Sequence, residues 1–128
     1  MIDAALPRLL LAEGDHYLRR VAEIALRRDG FAVTPVSQGF EALRALYAEV
    51  FAVAVLDGAM PGLDGLETCR YIRLDQKTAR LPVLIFGPCH DVEGRASSAA
   101  GVTGYIRKPF DALTLGLQVR RACALIEA

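Results

Sequence analysis

The chain has 128 residues, 53% of them hydrophobic, with Lys plus Arg and Asp plus Glu each numbering 15. That length fits one domain, residues 1 to 128, around one core, and the apolar content excludes a disordered segment. Zero formal net charge argues against a global attraction to nucleic acid or anionic lipid, and no apolar run reaches membrane-spanning length.

RLLLA, residues 8 to 12, is a short apolar run suited to a buried strand. Asp15 is positioned to cap a helix through about residue 28, with Leu18, Val21, Ala22 and Ala25 on one face. The pair Asp29-Gly30 ends it. FAVTPV, residues 31 to 36, is a second strand, and Pro35 argues that it lies at an edge or ends early. Ser37 is a candidate cap for the next helix, where Phe40, Leu43 and Leu46 repeat at helical spacing. FAVAVL, residues 51 to 56, is apolar on both faces, as a central parallel strand requires.

A third helix is predicted over residues 63 to 74, with Leu66, Cys69 and Ile72 near one stripe and Arg73 at its border. LPVLIF, residues 81 to 86, is the fourth strand. HDVEGRASSAAG, residues 90 to 101, reads as a weak helix, because its apolar residues are small and Gly94 costs about 1 kcal/mol against Ala. Such an element is expected to be mobile until a partner orders it. TGYI, residues 103 to 106, is a fifth strand, and residues 111 to 127 form a last helix with Leu113, Leu117, Ala124 and Leu125 among its apolar positions.

Five alternations of strand and helix mean parallel strands joined by helical crossovers, an α/β sandwich with both sheet faces covered. Ligands in such sheets bind beyond the carboxyl ends of the strands. Glu13, Asp57 and Lys108 fall there, after the first, third and fifth strands. A carboxylate at a buried strand end needs a partner, and Lys108 or a divalent cation would supply one. Glu13 and Asp57 are hard oxygen ligands suited to magnesium, with the Ala59 carbonyl a further candidate. Two chemistries fit: a metal acting on a bound substrate, or a carboxylate that itself attacks a phosphoryl group.

LDGAMPGLDGLETCRYIR, together with YIRKPF at residues 105 to 110, resembles the receiver domain of bacterial two-component response regulators, the CheY-like family. The matches run in order over nearly the whole chain: AEGD, LD…MPGLDG, PVLIF, AAGVTGYIRKPF and a last helix. The resemblance implies a flavodoxin-like (βα)5 fold with a five-stranded parallel sheet in the order 2-1-3-4-5. It implies a phosphoacceptor rather than an enzyme, taking phosphate on Asp57 from a histidine kinase or phosphotransfer protein. Lys108 matches the lysine that pairs with the phosphoryl group, Pro109 the proline after it, often joined through a cis bond, and Tyr105 the switch aromatic. Glu13 matches the first of two acidic residues that bind Mg2+, and Ala59 the backbone carbonyl ligand.

Two positions depart from the pattern. Gly14 stands where the second acidic residue is expected, and Gly87 where a hydroxyl residue binds the phosphoryl group; only its backbone N–H remains. The expectation is an atypical receiver with weakened Mg2+ affinity and altered switching. With no side chain at Gly87, the Tyr105 ring either half-buries at the sheet edge or faces inward constantly. A phosphorylation-independent interaction module is the alternative. A metal-dependent phosphatase is disfavoured, since the site has few polar residues to hold a separate substrate.

Receivers of this kind signal through the fourth helix, fifth strand and fifth helix, which here would meet a downstream protein or a second copy. Gly104 replaces an acidic residue used in one charged dimer, which argues against that dimer. The basic doublets read as solvated helix surface, without a nucleic-acid or membrane partner. Cys69, Cys89 and Cys123 include no CxxC, which argues against disulfides and zinc and suits the cytoplasm. His16 and His90 read as surface residues. Asp64 and Gly65 read as structural, the first favouring the helix after it and the second giving close packing. A stand-alone protein and one domain of a larger regulator both fit the chain.

Overall fold

The computed structural model describes residues 5–87 and 100–127. The helix expected over 90 to 101 therefore lies outside the described residues except for its last two, as do Cys89 and His90. The described strands are β1 (Arg8–Ala12), β2 (Ala32–Val36), β3 (Val53–Asp57), β4 (Val83–Phe86) and β5 (Gly104–Ile106). The helices are α1 (His16–Arg28), α2 (Gly39–Ala48), α3 (Gly65–Leu74) and α4 (Leu115–Glu127).

All strand pairs are parallel, in the order β2-β1-β3-β4-β5. This is the flavodoxin-like arrangement expected from the sequence. Pro35 sits in β2, an edge strand, where its missing N–H disturbs no second ladder.

Side chains alternate across the sheet, so each inner strand feeds two cores. Leu9, Leu11, Val53, Val55, Leu84, Phe86 and Ile106 pack with Ala22 and Leu26 of α1 and with Leu115 and Val119 of α4. Leu10, Ala12, Ala54, Leu56, Val83 and Ile85 pack on the other face with Ala42 and Leu46 of α2 and with Cys69 and Ile72 of α3. Burial on both faces accounts for the near-continuous hydrophobic runs in β1, β3 and β4.

Asp15 caps α1, its side chain accepting from Leu18 N at 2.9 Å. Asp64 caps α3 in the same way, accepting from Glu67 N at 2.8 Å. Gly30 follows α1 at φ +94°, a left-handed position suited to glycine after a helix end. Ser37 does not cap α2. The cap position is Gln38, without a side-chain bond, because the Ser37 hydroxyl donates instead to Glu41 Oε1 at 2.8 Å.

The last helix starts later than expected. Residues 111 to 114 form a turn in which Asp111 accepts from Leu113 N and Thr114 N, so α4 begins at Leu115. Its buried stripe is Leu115 and Val119, backed by Ala122 and Cys123. Leu113 is 78% exposed and Leu117 48% exposed. Both are apolar positions of the expected helix that lie off the core. Among the described residues, no helix is long and apolar enough to cross a membrane.

Candidate functional site

Strand parity gathers the site. Glu13 lies two residues beyond Leu11, Asp57 two beyond Val55, and Lys108 two beyond Ile106, so all three continue the row that packs against α1 and α4. The row emerges at the carboxyl edge of the sheet. The ladder runs on just far enough to hold it there: Glu13 N donates to Val36 O at 3.0 Å, and Gly58 N to Phe86 O at 3.1 Å. Beyond β5, a cis Lys108–Pro109 bond turns the chain, and Phe110 rests on Phe86 with ring centroids 5.0 Å apart.

The three charged groups meet. Lys108 Nζ lies 3.3 Å from Asp57 Oδ1 and forms an ion pair with Glu13 Oε1. Glu13 is 1% exposed and Asp57 6% exposed. Backbone donors complete the cage. Gly14 N donates to Asp57 Oδ2 at 3.2 Å, Ala59 N to Asp57 Oδ1 at 3.1 Å, and Asp15 N to Glu13 Oε2 at 2.8 Å. Arg19 reaches back from α1 to the Glu13 carbonyl at 2.8 Å, and the Lys108 ammonium also sits 5.0 Å from the centroid of the Phe86 ring.

The two carboxyl groups are held differently. Burial pushes Glu13 above its ordinary value, with the neighbouring Asp57 adding to the rise while Lys108 and the Asp15 N–H oppose it. Burial also works to raise Asp57, but the Ala59 N–H, Glu13, the Gly14 N–H and Lys108 together outweigh it and hold Asp57 below its ordinary value. A proton entering the pair therefore goes first to Glu13, and Asp57 stays ionised.

A metal fits this donor set. Glu13 Oε1 is buried and faces the Lys108 ammonium, an oxygen already set to meet positive charge. Among the described residues there is no group of three or more His, Cys, Asp or Glu side chains that could hold a metal. Two carboxylates with retained water match magnesium, which seldom takes an all-protein cage.

The sequence brought Glu13, Asp57 and Lys108 to one place, and the structure joins them. Ala59 enters through its N–H. Tyr105 is 44% exposed on β5, so a constantly inward ring is not what the fold adopts; the ring lies half out at the sheet edge. The Gly87 N–H, the one donor left at that position, donates to Ile106 O at 2.8 Å. Sequence reasoning missed Phe86 beneath the ammonium and the Gly14 N–H on Asp57. The first is marked only by an aromatic residue just before Gly87. The second has no side-chain signal at all.

Comparisons with known proteins place the chain in one family. A family model described as the response regulator receiver domain matches residues 9–120. The transcriptional regulatory protein CseB of Streptomyces coelicolor is 37% identical over 113 residues, covering 88% of this chain and 47% of that protein. TctD of Salmonella typhimurium is 40% identical over 114 residues, covering 88% and 50%. The chain thus spans about half the length of these curated relatives. Among solved structures, the receiver domain of the sensor histidine kinase PA1611 of Pseudomonas aeruginosa, which has magnesium coordinated in its active-site cleft, gives a TM-score of 0.82 at 28% identity, covering 94% of this chain and 99% of that one. The Vibrio cholerae chemotaxis protein CheY4 gives 0.87 at 25% identity, covering 92% and 99%.

Proposed function

The chain belongs to the response regulator receiver domain family, and from that premise we propose that Asp57 is its phosphoacceptor, with Lys108 as the partner of the arriving phosphoryl group. The observation that carries this is the ionised Asp57 carboxylate at the mouth of the sheet with the Lys108 ammonium 3.3 Å away. An Asp57 oxygen attacks phosphorus, and the bond from phosphorus to the donor breaks. When the donor is a phosphohistidine, the electron pair of that bond stays on the imidazole nitrogen. The Lys108 ammonium neutralises charge on the phosphoryl oxygens. The Gly14 and Ala59 N–H groups hold the carboxylate in line for attack.

Glu13, Asp57 and the Ala59 carbonyl would hold Mg2+, which when bound adds further charge neutralisation at the phosphoryl oxygens. Without a carboxylate at Gly14, that affinity is weak. Gly87 and Tyr105 do not form the usual hydroxyl-and-aromatic switch, so the response to phosphorylation is altered. We assign the 128 residues to one receiver domain that works in the cytoplasm. Its donor partner is a histidine kinase or phosphotransfer protein. Downstream it meets a protein, or a second copy, through the face that includes β5 and α4. The role is signalling rather than turnover of a substrate.

Intact-mass measurement after treatment with a small phosphodonor tests the assignment. One added phosphoryl group, absent from Asp57→Ala, is expected; an unmodified native chain, or a modified Asp57→Ala, overturns it. One observation favours a second reading, a phosphorylation-independent interaction module: Gly87 has no hydroxyl, and its N–H is committed to Ile106. In that case partner binding is the same for the native chain and Asp57→Ala.

A further inference from the structure

Gly87 is more than a missing hydroxyl. Its φ is +106°, a left-handed conformation that side chains rarely adopt. A Cβ built on it would stand 2.8 Å from Lys108 Cδ, 3.1 Å from Cε and 3.3 Å from Cγ. Carbon atoms in contact rest at about 3.5–4.0 Å, so the Lys108 stem lies in the space that a side chain at 87 would take. That course ends with the ammonium on Glu13 Oε1, 3.3 Å from Asp57 Oδ1 and over the Phe86 ring. Glu13 is 1% exposed, so the ammonium is the cation that its Oε1 meets.

We propose that Gly87 is a positioning residue: its missing Cβ lets the Lys108 stem cross the end of β4, and this holds the ammonium on the Glu13–Asp57 carboxylates in direct competition with a divalent cation. The inference rests on the reading of those carboxylates as the metal site of a phosphoacceptor. A cation approaching Glu13 Oε1 meets an ammonium already there. For the metal to bind, Lys108 must leave Glu13, and Gly87 is what lets it settle there. A methyl group at 87 crowds the stem without removing its charge; it also strains the backbone at φ +106°, which Lys108→Met does not.

Magnesium titration by calorimetry of the metal-free chain and of Gly87→Ala, Lys108→Met and the double variant tests this. Both single variants are expected to bind Mg2+ several-fold more tightly than the native chain. Gly87→Ala is expected to add nothing in the Lys108→Met background, since the two changes act through one side chain. Unchanged affinity in folded Gly87→Ala, or the same gain with and without Lys108, overturns the proposal. So does an absence of Mg2+ binding in Lys108→Met, which would also remove the metal site.

A measurement on the native chain covers the case in which Gly87→Ala fails to fold. The Lys108 ammonium protons, followed by NMR, are expected to exchange slowly in the metal-free state and to lose that protection with the midpoint of Mg2+ binding. Protection that persists at saturation overturns the proposal. Phosphoryl incorporation at Asp57 is read separately by mass. Its absence, with the Gly87 and Lys108 effects intact, would count against the phosphoacceptor reading alone.

Discussion

Gly14 N donates to Asp57 Oδ2 at 3.2 Å, and a Cβ built on Gly14 would stand 3.6 Å from that same oxygen. That is ordinary van der Waals contact, and the backbone there needs no glycine. The first atom of an added side chain therefore finds room beside Asp57. Gly14→Asp is expected to raise Mg2+ affinity by about tenfold or more, or ~1.4 kcal/mol. It should also lower the melting temperature of the metal-free protein, because a third carboxylate joins two buried ones. Calorimetric titration and melting with and without Mg2+ check both effects.

Metal-free stability should depend on pH through the same pair, with opposite signs for its members. Glu13 is raised in the folded state. Its contribution is complete below the ordinary value of 4.5 and is lost as pH rises through the folded value. Asp57 is lowered in the folded state. Its contribution is present above the ordinary value of 3.8 and is lost as pH falls toward the folded value. Denaturant melts of the native chain and Glu13→Gln in a chelating buffer should differ in slope above 4.5, with the decline present only in the native chain.

The phase of α4 gives a sharper test of packing. Leu115 is 1% exposed and Leu117 48% exposed. Leu115→Ala should destabilise by about 2–5 kcal/mol through transfer and cavity costs. Leu117→Ala should fall within about 1 kcal/mol of the native chain. Equal losses in urea melts would mean that the helix is rotated from the face described.

Gly65 lies against the backbone of the candidate phosphoacceptor. A Cβ there would stand 2.6 Å from the Asp57 carbonyl oxygen and 3.1 Å from Ile85 Cδ1. Gly65→Ala should push the start of α3 off the end of β3 and cost about 1–3 kcal/mol. Phosphoryl uptake at Asp57 should slow with it. Chemical denaturation and a time course of mass-detected labelling check the two parts.

Much of this architecture is legible in the sequence because a parallel sheet buried on both faces imposes long apolar runs. The strand starts are less legible. Phe51 and Leu81 are buried at 7% and 9% exposure before their strands begin, so hydrophobicity overruns the ladder. At the other end Asp57 is polar and still belongs to β3, so hydrophobicity stops short of it. The last helix starts four residues later than expected because residues 111 to 114 are taken up by the turn closed on Asp111, and apolar content alone does not tell buried Leu115 and Val119 from exposed Leu113 and Leu117.

In the site, Glu13, Asp57 and Lys108 announce themselves as charges that follow apolar strands. What holds them does not. The Gly14 and Ala59 N–H groups belong to the main chain, which every residue shares. The crowding of Lys108 against Gly87 depends on a dihedral angle that a residue name does not fix.

The odd-numbered row that runs through Leu9 and Leu11 to Glu13, and through Val53 and Val55 to Asp57, makes the fold sensitive to counting. Deleting one residue within β3 would preserve its composition almost entirely. It would nevertheless swing the carboxylate to the α2–α3 side, away from its ammonium, and drive the leucine of that strand through the sheet. Lineages carrying this chain should therefore accept many apolar exchanges inside the strands while rejecting any change in strand length between the start of β3 and residue 57.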